Sequence, residues 1–400
     1  MTLFLIFILA VVVAGFAFFK IGDAFSPWML TSAVWLGIFV LFLLYGDNLY
    51  PLKENLYTCV MIWIPIMVST SIVTYYSLPS PADASVDKDI ELSTKWFDMF
   101  FVIALVCSPL YLYQVIKVVM MFSTEDLLSN IRTLANYGEK NALVSLLKYV
   151  NAVNQALYII ALWRFPNCSK WRFLAIIGAN LLCTVAIMSK TPVFVLFLST
   201  LYILYEKRRI RLNTIFIWMV LIVISFYWIN ELRAQDVDKG SKFVDFFTMY
   251  VMSPPVAFGW AQEKLTDQFG TFSFAFFYAF VSKLGLGTVY VQKQLQDFVF
   301  VPISTNVYTV FQPYYEDFGY KGVAFFASVW GLMMGWIYRY VRNGNPVAKC
   351  LYAYFVFAMV MQFYQENLFV NLSLVIQYVV IFNLLIKKNF SISIIRPDRK

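Results

Sequence analysis

The 400-residue chain contains no histidine, which removes imidazole acid–base catalysis and histidine metal ligation from consideration. Cysteine is scarce too: the five, Cys59, Cys107, Cys168, Cys183 and Cys350, lie in or beside apolar runs without metal-like spacing, so neither a disulfide framework nor a zinc site is expected. No glycine-rich phosphate loop is present, which leaves nucleotide hydrolysis unsupported. There is likewise no aspartate pair or Cys/His cluster of the kind a metal-assisted transferase uses. Charged residues make up only 14% of the chain, too few to keep so apolar a polypeptide in water as one globular domain. The net charge of +8 sits in short basic clusters between apolar runs and at the C-terminus, a membrane-topology pattern rather than a nucleic-acid-binding one. The first run, Thr2 to Phe19, lacks a basic leader and a small-residue cleavage pattern, and reads as a retained span.

What is abundant is hydrophobic sequence, at 61% of residues, with 40 Phe and 26 Tyr. Further apolar runs follow at Trp28 to Tyr45, Leu56 to Tyr76, Trp96 to Met121, Ala152 to Trp163, Phe173 to Met188, Pro192 to Tyr205 and Ile215 to Trp228. The last three are Val323 to Tyr338, Ala348 to Phe363 and Leu368 to Ile386. The chain therefore reads as an all-α polytopic membrane protein, one integral domain over 1–400 with about 11–12 transmembrane helices. Aromatics exceed what interfacial belts require, so many must pack between helices or line a cavity. Ser123 to Val150 has the spacing of an amphipathic interfacial helix. The Gly331/Gly335 spacing reads as helix packing.

Basic clusters at Arg164/Lys170/Arg172, Lys207/Arg208/Arg209/Arg211, Arg339/Arg342/Lys349 and Lys387/Lys388/Arg396/Arg399/Lys400 set the cytoplasmic side. Threading the runs between them places Leu78 to Thr94 inside, and puts the N-terminus, Ser189-Lys190-Thr191, the long polar interruption 230–322 and Gln365-Glu366-Asn367 together outside. That interruption is where polar backbone and charge can stay out of hydrocarbon, and any chemistry is expected there. Ser253-Pro254-Pro255 and Phe272 to Val281 read as short surface-lying helices that could form a lid.

Lys190 and Arg233 are two cations at the outer boundary, suited to gripping a lipid diphosphate; the alternative is ordinary snorkelling. Glu231, Asp236, Glu316, Asp317 and Glu366 are carboxylates near the same boundary, any of which could orient or deprotonate a sugar hydroxyl. Asp317 is preferred for its aromatic-rich setting. Asn306, Tyr308, Gln312, Tyr314 and Tyr315 combine amides and phenols with apolar faces, as sugar sites do, though an interfacial anchoring belt has the same composition. Lys264 has no role that position alone suggests.

Glu231-Leu232-Arg233-Ala234-Gln235, Thr305-Asn306-Val307-Tyr308-Thr309 and Tyr314-Tyr315-Glu316-Asp317-Phe318-Gly319-Tyr320-Lys321-Gly322, with the many spans and the late outer loop, resemble the bacterial O-antigen polymerases, the Wzy-type oligosaccharide repeat-unit polymerases. Ser189-Lys190-Thr191-Pro192 is similar to the Ser-Arg turn of the O-antigen ligases, with Lys in place of Arg. The resemblance implies a GT-C-like membrane fold and a metal-independent glycosyltransferase needing no cofactor. It implies action on undecaprenyl-diphosphate-linked repeat units at the periplasmic face of the inner membrane, among membrane lipid and with room for a chain-length regulator. From charge and position, the expected catalytic residues are Asp317, Arg233 and Glu231, and the expected substrate-binding residues are Lys190, Asn306, Tyr308, Tyr314, Tyr315 and Glu366. A lipid-linked oligosaccharide flippase and a ligase-like transferase are the alternatives. The ligases rely on a loop histidine, which this chain lacks, and paired repeats with a midplane site, common in transporters, are not evident here.

Overall fold

The computed structural model describes the chain apart from residues 80–89, 122–129, 132–133, 135–141, 212, 215–216, 219, 221–223, 225–226, 228–247, 265–267, 287–288, 292–295, 303 and 388–400. Its apolar runs form the helices α1 (Thr2–Phe18), α2 (Pro27–Tyr45), α3 (Glu54–Ser77), α4 (Thr94–Met120), α5 (Val150–Arg164), α6 (Lys170–Ile187) and α7 (Thr191–Glu206). After these come α8 (Ser253–Phe258), α9 (Ala275–Lys283), α10 (Gln312–Arg342), α11 (Pro346–Val360) and α12 (Leu372–Leu385). Among the described residues six helices are long and apolar enough to cross a membrane, and α1, α7 and α12 are shorter apolar helices. The run Val323 to Tyr338 falls in α10, and most of the run Ile215 to Trp228 lies outside the described residues. The strand content described is one two-residue antiparallel pair, Val299–Phe300 with Ser304–Thr305. The protein is an all-α polytopic membrane protein.

The helix termini sort into two ends. At one, Arg342 reaches Asp23 at 2.5 Å and Glu206 at 2.6 Å, Lys207 Nζ donates to Phe165 O at 2.6 Å, and Asn343 Nδ2 donates to Pro79 O at 3.5 Å. Leu92 bridges Ile386 beside them in sequence register. Pro79 thus shares an end with the Arg339/Arg342/Lys349 and Lys207 clusters, as the threading of the spans requires; residues 80–89 lie outside the described residues. At the opposite end Thr2 meets Tyr57 at 2.6 Å, Asn55 Nδ2 donates to Phe258 O at 3.2 Å, and Val310 N donates to Gln362 O at 2.8 Å. We call these the inner and outer ends.

The frame of the bundle is α10 against α3. It packs closely because a Cβ at Gly331 would overlap Thr70 Oγ1 and Met67 O, and one at Gly335 would overlap the Ser71 carbonyl; only glycine allows the two backbones to approach so far. The Gly331/Gly335 spacing is therefore a helix-packing device, as expected. Above it the interior is aromatic: Trp63, Tyr314, Trp330 and Phe326 are all buried, with Tyr314 stacked 4.1 Å from Phe326. Trp330 Nε1 donates to Tyr314 OH at 3.1 Å and Trp63 Nε1 to Gln362 Oε1 at 3.0 Å, so the polar tips of these rings are satisfied inside an apolar layer. Much of the aromatic excess is thus helix-packing material.

One sequence expectation comes out differently. The Ser253–Phe258 helix is buried along its whole length rather than lying on the surface: Phe258 packs on Phe311 and Tyr315, with centroids at 5.6 and 5.5 Å, and Asn55 holds the carbonyls at its end. Its two prolines occupy the first helical turn, where the missing N–H has no intrahelical partner to lose. Most of the amphipathic stretch 123–150 lies outside the described residues; within it Ala142–Leu147 is helical, and Ile131 is buried against Tyr111, Val115 and Val119.

Candidate functional site at the outer end

The outer end is organised by a break in α10. Gly319 adopts φ 60°, ψ −150°, a backbone region open essentially to glycine alone, and a Cβ there would collide with the Glu263 carboxylate. The break separates a polar first segment, Gln312 to Phe318, from the span that follows. Besides Glu263, the carboxylates Glu316 and Asp317 lie at it, and Glu366 lies in the turn between α11 and α12.

Glu316 is buried. Its Oε1 accepts from Gln312 Nε2 at 3.1 Å, and its Oε2 lies 3.1 Å from Lys264 Nζ, whose side chain is half exposed. Lys264 N also donates to Glu316 O at 2.7 Å, so lysine and glutamate are joined through backbone and side chain. Gln312 Nε2 is also 3.3 Å from Gln296 Oε1. Burial pushes the Glu316 carboxyl above the ordinary carboxylate range, while Gln312 and the Lys264 charge pull it back part of the way.

Asp317 points the other way along the same turn. It accepts from Phe272 N at 3.0 Å and Ser273 N at 2.6 Å, and Ser273 Oγ donates to Pro313 O at 3.1 Å. Burial raises its carboxyl and these donors oppose the shift. Glu366, almost fully buried, accepts from Leu368 N at 2.9 Å, Phe369 N at 3.0 Å and Val370 N at 2.7 Å; burial again raises its carboxyl and those amides lower it. Asp317 and Glu366 thus each fasten a piece of backbone, whereas Glu316 holds two side chains and an ion pair at the solvent edge.

The remaining predicted residues are placed as follows. Tyr314 is fully buried in the aromatic stack and meets Glu366. Tyr315 is half-buried, its ring 5.2 Å from Tyr320, and burial first, then Tyr320, pushes its phenol up to about 12. Tyr308 donates to Asp297 O at 3.0 Å, and burial with the nearby Glu316 and Asp297 charges pushes its phenol up to about 12. Asn306 is half-buried beside the Ser304–Thr305 strand. Lys190 follows the left-handed Met188 (φ 46°) that ends α6, and Nζ sits 3.5 Å from the Tyr250 ring centroid, a cation–π distance. Arg233, Glu231 and Asp236 lie outside the described residues.

The structure therefore brings Tyr314 to Glu366, sets Asp317 against Phe272 and Ser273, and joins Tyr308 to Asp297. Sequence reasoning had no reason to single out Lys264 or Gln296. Each meets the Gln312–Glu316 turn from a distant part of the loop, and no local pattern marks such a contact. The Gln312/Glu316 pair itself was visible, being one helical turn apart.

No protein-family profile and no solved structure matches the chain. A curated protein of Escherichia coli (strain K12), named "Putative O-antigen polymerase", is 26% identical over 238 residues, 57% of this chain and 58% of that protein. The match spans less than two thirds of either chain.

Proposed function

We propose that this protein polymerises lipid-diphosphate-linked O-antigen repeat units at the outer face of the bacterial inner membrane. The reading rests on the similarity to the Escherichia coli protein. A polytopic helical frame whose outer end holds Glu316, Glu366, Gln312 and Tyr314 buried supports it. The growing glycan is the donor, held through its undecaprenyl diphosphate, and the distal sugar of a new lipid-linked unit is the acceptor. The acceptor hydroxyl oxygen forms the new bond to the anomeric carbon, the bond from that carbon to the diphosphate breaks, and its electron pair leaves with the lipid diphosphate.

The departing diphosphate gains negative charge, which Lys190 and Arg233 stabilise as it develops. The acceptor proton goes to a carboxylate. Among the described candidates, Glu316 carries that role best, because it is held by side chains rather than by backbone amides and its partner Lys264 reaches solvent. Asp317 and Glu366 hold the backbone that shapes the site, and Glu231 is the further carboxylate of the set. Asn306, Tyr308 and Tyr315 line the acceptor side. Diphosphate is a good leaving group, so positioning contributes as much as base strength.

Deleting the gene and complementing it, with surface lipopolysaccharide resolved on a gel, tests the proposal. Collapse of the ladder to core bearing a single repeat unit is the expected result. Loss of the single-repeat band as well would overturn the reading in favour of a flippase or ligase.

A further inference from the structure

Helix α9, Ala275–Lys283, has the sequence Ala-Phe-Phe-Tyr-Ala-Phe-Val-Ser-Lys and no residue buried within the protein. Phe277 is 50% exposed, Phe280 55% and Leu284 54%, and these positions fall on one stripe of the helix. A helix facing water would carry polar residues there; this one carries its largest apolar side chains, and Leu286 beyond it is more exposed still. Contiguous apolar surface of this kind marks an interaction face.

What covers the stripe follows from what it adjoins. Phe274, the residue before the helix, packs on Phe277 at 6.1 Å and on Phe326 at 6.0 Å. Phe326 belongs to the spanning part of α10, about 9 Å below its start at Tyr320 by helical rise. Its neighbour Phe325 is 61% exposed and faces outward with Leu332 on the side of the bundle that hydrocarbon must cover. The apolar face of α9 is thus continuous with a lipid-facing span surface and begins at a depth inside the bilayer edge.

The attachment is specific. Gly270, at φ +62°, lets the rings of Phe274 and Phe318 close over its backbone, Tyr278 OH donates to Phe269 O, and Asp317 accepts from Phe272 N and Ser273 N just ahead of the first turn of α9. One carboxylate at the head of the span therefore fixes the orientation of the whole aromatic helix.

We infer that α9 is an interfacial anchor that lies in the outer leaflet with Phe277, Phe280 and Leu284 among the lipid acyl chains, and that Asp317 is the positioning residue that sets it there. The occupant of the stripe is phospholipid, not a second protein. The helix forms a membrane-level wall beside the polar cluster instead of a lid above it. This holds whatever the protein does to its substrate, since it follows from exposure and contact alone.

The test uses the full-length chain, its five native cysteines replaced by alanine, in phosphatidylethanolamine/phosphatidylglycerol liposomes. Nitroxide labels at Phe277→Cys and Phe280→Cys are compared with a label at Leu332→Cys, on the span, and at Asp47→Cys, in the exposed turn after α2. Relative accessibility to oxygen and to a water-soluble nickel chelate is read by power saturation. Labels at 277 and 280 should resemble the one at 332, with oxygen access dominant. Adding Asp317→Asn should shift them toward the nickel reagent while the label at 332 stays unchanged. Nickel access at 277 and 280 equal to that at 47 would overturn the inference, as would low access to both reagents, which would place protein on the stripe.

Discussion

The two ends of the molecule treat buried charge in opposite ways. At the inner end one guanidinium answers two carboxylates: Arg342 bridges Asp23 and Glu206, and Tyr338 OH donates to Asp23 at 2.9 Å. These residues come from the α1–α2 turn and from the ends of α7 and α10, so the cluster ties three elements together. At the outer end Glu316 pairs with one half-exposed lysine, while Asp317 and Glu366 are held by backbone amides. A cluster closed around one guanidinium holds a fold and has little left for a substrate. An excess of acidic groups satisfied by amides keeps capacity for a proton and for hydroxyls, which is what glycosyl transfer asks of a site.

The largest expected effect concerns the helix that carries both ends. Gly335→Leu should cost about 3 kcal/mol or more, because the new side chain meets the Ser71 backbone, which cannot move aside. A fall in the melting temperature of the detergent-solubilised protein checks this, and an unchanged melting temperature would refute the close α3–α10 packing. Next comes the outer end. Glu316→Gln should lower polymer formation about a hundredfold at equal protein level, whereas removing an inner carboxylate should not.

Acidity separates the ends further. The Glu316 carboxyl is raised by burial, so the folded chain retains a proton that the unfolded chain has already released. Its contribution to stability is complete below the ordinary carboxylate pKa of about 4.3 and is lost as pH rises through the raised folded value. Wild type should therefore lose stability relative to Glu316→Gln over that window, while its polymerising activity, which needs the ionised form, should rise. A stability difference that stays flat with pH would contradict the assignment.

Smaller effects follow. Arg342→Met should cost about 2 kcal/mol, since it strands two partly buried carboxylates. The loss should appear in thermal unfolding and in protein level, with activity per molecule nearly preserved. Asp317→Asn should cost about 1 kcal/mol through weaker acceptance from Phe272 and Ser273, seen as faster amide exchange at those two residues with little change in global unfolding.

How much of this could be read in advance differs along the chain for physical reasons. The spans were legible because bilayer thickness imposes a length and a composition on each run. The Gly331/Gly335 pair was legible because close helix approach has a fixed spacing. The placement of Pro79, at the flank of Leu78 to Thr94, at the inner end followed from alternation alone. The site was legible only as a neighbourhood. Asp317 stands out by its surroundings, but its partners Phe272 and Ser273 are remote in sequence. Lys264 looks like any loop lysine until the fold sets it against Glu316. Ser253-Pro254-Pro255 reads as a short surface-lying helix, and its helix is there, but its burial against Asn55 and Phe311 is a tertiary fact with no local signal.

The most direct test of this division of labour is the lipopolysaccharide ladder of the deletion strain complemented, at matched protein levels, by wild type, by Glu316→Gln and by Arg342→Met. The account predicts a full ladder from wild type and from Arg342→Met, and a single-repeat product from Glu316→Gln. A full ladder from Glu316→Gln together with a collapsed one from Arg342→Met would contradict it and move the working site to the inner end.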